Sequence, residues 1–266
     1  MRTDLGQSIQ AAVDAAALVD GGGNPVGDVN GDGYIIVAVA RDQFGSPSGS
    51  VTQSVLISAT YPRPFVLTAC SATLRDPIPG DATPTIHIAA SATSPSVNVL
   101  GRPTTIAVIG LNASRSTNSA AIEVLGTRRY VANSEVSLSG DGYRILGDDN
   151  TLHNGEAFDN TDDGVVVVGQ GNHLEDVDSY RNGGDGFDVR GGTTAGTANR
   201  LQHLVSNNSA SGSGGENTGA EYRVLNYIMN VDAPIKADNK NVPEDKCVSF
   251  PADSITKNFP VVEVCE

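Results

Sequence analysis

The chain has 266 residues, 39% hydrophobic but only 5% aromatic and without tryptophan, so its core must be aliphatic. Lys+Arg 17 against Asp+Glu 31 gives a net charge of −14, which excludes a nucleic-acid groove and disfavours an anionic membrane surface, since both need clustered positive charge. No apolar run approaches the roughly 18 residues of a spanning helix, so no membrane span is expected.

The first element is a helix. Leu5, Ile9, Ala12, Val13 and Ala16 recur at three- and four-residue steps, a stripe that predicts a helix near 5–19 with Thr3 or Asp4 as cap and "DGGGNP" as stop. "GDVNGDGY" then sets Asp28, Asn30 and Asp32 at alternate positions before Gly33. Oxygens so spaced resemble the start of a calcium loop. A full EF-hand is excluded, because Val39 stands where the closing Glu belongs and a strand follows. Two readings remain: a short calcium loop completed by the Tyr34 carbonyl and a distant carboxylate, or a plain turn. From "GYIIVAVA" onward the chain reads as short β-branched strands separated by Gly, Asn, Asp and Pro. Cys70, within "VLTACSATL", reads as a small buried hydrophobe.

The middle of the chain repeats. Gly126, Gly147, Gly169 and Gly191 end the runs "AIEVLG", "GYRILG", "GVVVVG" and "GFDVRG" at near-constant intervals. Asp141, Asp163 and Asp185 keep step, as do Asn160 and Asn182; Asn150, Asn172 and, after an insertion, Asn199 follow the glycines. A fixed period of this size marks a solenoid, one coil per repeat. The Leu ladder of a leucine-rich repeat is missing, which leaves a parallel β-helix. Alternation places Ile122 and Val124, Tyr143 and Ile145, Val165 and Val167, and Phe187 and Val189 inward. Glu123, Arg144, Val166 and Asp188 then point outward. The Asp-Gly and Gly-Asn pairs read as turns that tolerate positive φ.

"SIQAAVDAA…NGDGYIIVAVARD…QSVLIS" and "NTDDGVVVVGQGNHLEDVDSYRNGGDGFDVRG" resemble right-handed parallel β-helix proteins of the pectate-lyase-like superfamily, over about residues 5–230 and most clearly over 119–210. The resemblance implies an all-β fold, a right-handed parallel β-helix (β-solenoid) with an N-terminal helical cap and coils of about 22 residues. The expected division is 1–24 for the cap and its turn, 25–240 for the β-helix and 241–266 for a closing segment. Function is open, since the superfamily holds lyases, hydrolases, epimerases, adhesins and inert spacers.

Candidate chemistry follows from the outward positions. Lyases of this kind use an outward Arg or Lys as base beside calcium-binding acids, which casts Arg144 as a base tuned by Glu123 or Asp188. An exposed Glu123–Arg144 cross-strand pair explains the same residues without chemistry, and Val166 interrupts the polar column. "NTDDG" resembles the Asn-Thr-Asp element of polygalacturonase-like hydrolases, but the second acidic pair and the Gly-His-Gly element are missing. The Asp141–Asp163–Asp185 ladder reads as turn capping. His87, His153, His173 and His203 share no column, which disfavours a transition-metal site.

In the tail, Cys247 and Cys265 are expected to pair as a disulfide, and an oxidising compartment follows. The protein is therefore expected to be secreted or at the cell surface, with its leader absent from this chain. The expected function is a non-catalytic extracellular module, a structural scaffold, adhesin or assembly subunit that contacts polysaccharide or further copies of itself end to end. The alternative is a polysaccharide lyase or glycoside hydrolase acting on an acidic glycan. Calcium is the cofactor to expect, at Asp28, Asn30, Asp32 and Tyr34.

Overall fold

The computed structural model describes residues 8–21, 24–25, 28, 33–39, 50–77, 83–114, 119–191, 199–207, 222–225, 229–231 and 236–238. In chain order its elements are α1 (Ile9–Ala16), β1 (Ile35–Val39), β2 (Ser50–Thr52), β3 (Val55–Ile57), β4 (Phe65–Arg75), β5 (Ile86–Ile88), β6 (Val97–Val99), β7 (Arg102–Thr104), β8 (Ile106–Ser114) and β9 (Ile122–Leu125). There follow β10 (Arg129–Ser137), β11 (Tyr143–Leu146), β12 (Thr151–Phe158), β13 (Val165–Val168), β14 (His173–Tyr180), β15 (Phe187–Arg190), β16 (Asn199–Asn207), β17 (Tyr222–Leu225), β18 (Met229–Val231) and β19 (Lys236–Asp238).

From β4 to β17 each coil contributes one long and one short strand. The long strands stack in the order β1-β4-β8-β10-β12-β14-β16-β18, and the short ones in the order β17-β15-β13-β11-β9-β5-β3. All these pairings are parallel, with Tyr143 beside Val165 and Ile122, and Val165 beside Phe187. The expected inward residues of β9, β11, β13 and β15 are each at most 1% exposed. This is a parallel β-helix, in which one coil cannot bury its own apolar face but a stack can. The antiparallel pair β6–β7 stands apart from both sheets, and its Val99 packs on a small outer cluster of Ala107, Tyr130 and Ala132.

Simple alternation fails in the long strands, and the backbone shows why. Ser71, Gly110, Asn133, Asn154 and Asp176 all take left-handed φ, between 50° and 70°. Each such residue bends its strand around the core and resets the parity of the side chains. Leu174 and Val177 are therefore both buried although three residues apart. The same feature corrects the reading of Cys70, which is exposed. The register of β4 slips between Thr68 and Ala72 against β8, so Ala69 to Ser71 bulge out opposite Gly110 alone.

Two glycine classes underlie the repeat. Gly126, Gly147, Gly169 and Gly191 do have positive φ. Gly142 and Gly164, in the Asp-Gly pairs, do not; their requirement is close approach. A Cβ on Gly164 would strike the Ser179 hydroxyl, and one on Gly142 would meet the Gly164 carbonyl and the Val136 side chain.

The helical cap is shorter than expected. Ser8 is its N-cap, its Oγ accepting from the Ala11 N–H at 2.9 Å; Thr3, Asp4 and Leu5 lie outside the described residues. Ile9, Ala12, Val13 and Ala16 are buried where the helix packs on β1 and β3. Gln10 completes the closure. Its Nε2–H donates to the Leu56 carbonyl at 2.9 Å, and its Oε1 accepts from the Leu56 N–H at 2.6 Å. One side-chain amide thus takes the place of a further strand at the edge that β3 forms among the described residues. Gln10→Ala is expected to lower stability by about 1 kcal/mol and to raise self-association, read by thermal melting and sedimentation. Melting and mass equal to the wild type would show that the edge needs no partner.

Candidate functional site

The short-strand face concentrates the charge. Asp141, Asp163 and Asp185 each lie two residues ahead of a short strand, and their carboxylates bond along the stack. The Asp163 N–H donates to Asp141 Oδ1 at 3.3 Å, and the Asp185 N–H to Asp163 Oδ1 at 2.6 Å. Two triads of carboxylate oxygens result, Asp141–Asp162–Asp163 and Asp163–Asp185–Asp188, each within 4.8 Å. Hard oxygen donors so grouped suit calcium or magnesium better than softer metals.

Burial pushes the Asp163 carboxyl up to about 7, and the neighbouring charges of Asp185, Asp162 and Asp141 add to the effect against the Asp185 N–H bond. Asp141 is raised as well, chiefly by burial and in spite of Arg144. The sign of the pH effect follows. Folded Asp163 keeps its proton to about pH 7, whereas an unfolded Asp releases it near 3.9. Between these values the folded state binds the extra proton, so stability falls as pH rises from about 4 to 7 and is flat above. Melting in chelator should show this slope, and Asp163→Asn should remove it. A slope that survives in the variant would place its origin elsewhere.

The structure rearranges the expected partners. Arg144 stands beside Glu123 in register, but its ion pair is with Asp141, from Nε at 2.8 Å and Nη2 at 2.6 Å. Glu123 faces His87 instead, Nδ1 to Oε1 at 3.8 Å. Alternation sets Asp188 outward, yet it is fully buried, with Arg190 folded over it in a two-nitrogen pair. Its cover is the Arg190 guanidinium on the same strand, since Arg144 is flanked by strands on both sides in the same way and yet stays partly exposed.

The Asp28 side chain is buried, 7% exposed, with Oδ2 3.9 Å from Arg63 Nε. Its Oδ1 has no hydrogen-bond partner among the described residues. Tyr34 follows just before β1. Asn30 and Asp32 lie outside the described residues, as do Cys247 and Cys265. His153 and His173 sit in different columns, beside Glu175 and Thr151 respectively; the His203 side chain lies outside the described residues.

Among solved structures, the pectate lyase Pel9A matches this architecture with a TM-score of 0.52, over 87% of this chain and 57% of that one. The chain is a parallel β-helix. At 18% identity the likeness concerns the fold, and the β-helix spans 57% of the length of that lyase. Neither a protein-family profile nor a curated protein matches the sequence. No helix among the described residues of the β-helix is long and apolar enough to cross a membrane.

A second set of outward side chains lies on the long strands, away from the candidates that the short-strand pattern singles out. Glu135, Glu156 and Asp178 are register partners on β10, β12 and β14, and Phe158 and Tyr180 partner each other two positions on. Their spacing in the chain matches the glycine period, which is the signal that could have found them.

Proposed function

We propose that this protein is a non-catalytic extracellular β-helix, a scaffold or assembly subunit that contacts polysaccharide. One observation supports the reading: the charged groups of the short-strand face already serve the coils. Asp141 and Asp163 accept from the next turn, and Arg144 and Arg190 are each held by a carboxylate through two nitrogens. A guanidinium so paired is engaged as a donor, whereas a general base must offer a free lone pair to the substrate proton.

Calcium is proposed as a structural cation at the Asp28 loop, where the buried Oδ1 of Asp28, without a hydrogen-bond partner among the described residues, would serve as a ligand. Asn30, Asp32 and the Tyr34 carbonyl are the proposed companions. The lyase reading is the second one, favoured by the fold shared with a pectate lyase and by the Asp141–Asp162–Asp163 triad.

An activity screen on acidic polysaccharides, with and without calcium, separates the two. The expected result is no release of reducing ends, and an Arg144→Ala protein that still folds but melts lower than wild type, because the buried Asp141 carboxylate loses its counter-charge. Cleavage that falls on the order of 100-fold or more in Arg144→Ala would instead establish the base and end the scaffold reading.

A further inference from the structure

The outer face of the long strands carries a notch that the repeat alone does not explain. Register aligns Arg75, Ser114, Ser137, Phe158 and Tyr180 in one column across five successive coils. Large side chains stand at both ends, and two serines lie between them. With coils about 4.8 Å apart, the serines leave a hollow of about 160 Å³, lined by Arg75, Asn112, Ser114, Glu135, Ser137 and Phe158 among others. A second hollow of about 270 Å³ shares Asn112 and Glu135 and continues toward Glu156 and Asp178. Together they fall in the lower part of the roughly 300–1,000 Å³ range of a small-ligand site.

The ends of the notch are chemically distinct. Phe158 and Tyr180 stack with centroids 5.3 Å apart and planes within 5°. Arg181 covers the pair at 4.7 Å from the Tyr180 centroid and 5.7 Å from that of Phe158. With the centroids 5.3 Å apart, these distances set it beside the gap between the rings, on the Tyr180 side of Phe158. The opposite face of Phe158 is therefore left to the notch, over its register partner Ser137. At the other end the Arg75 side chain makes no ion pair or hydrogen bond among the described residues, and its Nε is shielded from solvent without a partner there. Asn112 and Glu135 bond each other along the wall, Nδ2 to Oε2 at 3.4 Å and backbone N–H of Glu135 to Asn112 Oδ1 at 2.9 Å. Each keeps further hydrogen-bonding capacity.

We propose that this notch binds a sugar ring of a neutral polysaccharide. The electron-rich face of Phe158 suits the C–H face of a pyranose. Arg75, Asn112 and Glu135 supply the donors and acceptors that vicinal hydroxyls require. Glu135, Glu156, Asp176 and Asp178 line the continuing groove, so a polyuronate would meet like charge there, and a neutral chain would not. The proposal rests on the polysaccharide-contacting reading above and names its ligand class and its surface.

The test uses the full chain and titration calorimetry with cello-, xylo- and manno-hexaose, with hexagalacturonate as the charged comparison. At least one neutral hexasaccharide should bind, and hexagalacturonate should bind more weakly. Phe158→Ala should weaken binding on the order of tenfold, Arg75→Gln should weaken it too, and Ser137→Phe should abolish it by filling the hollow. Ser137→Phe extends an aromatic column on an outer surface, so an unchanged melting curve is expected and separates loss of site from loss of fold. No binding of any neutral hexasaccharide, wild-type binding in Ser137→Phe, or preference for hexagalacturonate would overturn the notch and leave the scaffold reading intact. Release of reducing ends from a bound hexasaccharide would overturn the scaffold reading and leave the notch.

Discussion

Gly169→Ala is expected to destabilise the protein by about 2–5 kcal/mol, from the strain of its backbone and the overpacking of its coil. Gly169 has φ +146°, a region that residues with a Cβ rarely enter. A Cβ there would also run into the carbonyl of Gly147 one coil back, as one on Gly147 would into Gly126 and one on Gly191 into Gly169. The four glycines form a stacked column, so the obstacle is backbone and cannot swing aside. Gly21→Ala is the control: nothing lies within 4 Å of its Cβ position, and a change within about 0.5 kcal/mol is expected. Chemical denaturation of the two variants decides the matter. Equal midpoints would mean that the glycine column is a habit of the turn and not a condition of stacking.

Asn172→Ala is expected to cost a similar amount, for a different reason. Asn172 is fully buried, and its side chain works in both directions along the stack. Its Oδ1 accepts from the Asn150 N–H at 2.9 Å, and its Nδ2–H donates to the Gly147 carbonyl at 2.9 Å. Asn150 repeats the pattern toward Arg129 and Gly126, and Asn199 toward Asn172 and Gly169. Truncation strands one buried donor and one buried acceptor at about 1–3 kcal/mol each, or roughly 2–6 kcal/mol together. Asn172→Asp gives a sharper readout. A carboxylate keeps the acceptor but opposes the Gly147 carbonyl, whereas the protonated acid can donate to it. That variant should therefore regain stability as pH falls, while Asn172→Ala should not. An alanine variant that unfolds within about 0.5 kcal/mol of wild type would show that water replaces the ladder.

These ladders show where the sequence was legible. The period of the glycines and asparagines, and the alternation within the four short strands, depend only on local geometry and on one coil resembling the next. They sufficed for the β-helix, for its inward residues from Ile122 to Val189, and for the apolar stripe of α1. The cap residue Ser8 was missed because the apolar spacing extends back to Leu5. The buried place of Asp188 was missed because alternation says which face a residue takes, not what covers that face.

What the sequence by itself determined is the coil: its length, its core and its turns, since each coil repeats the same local conditions. The tertiary structure alone decided the partners. Arg144 turned to Asp141 because a neighbour three residues away on the same coil lies within reach of both its nitrogens, while Glu123 found His87 across the stack. The notch depends on register in the same way. Arg75 and Phe158 are remote from each other in the chain, and only the stacking of successive coils sets them at the two ends of one column with nothing larger than serine between.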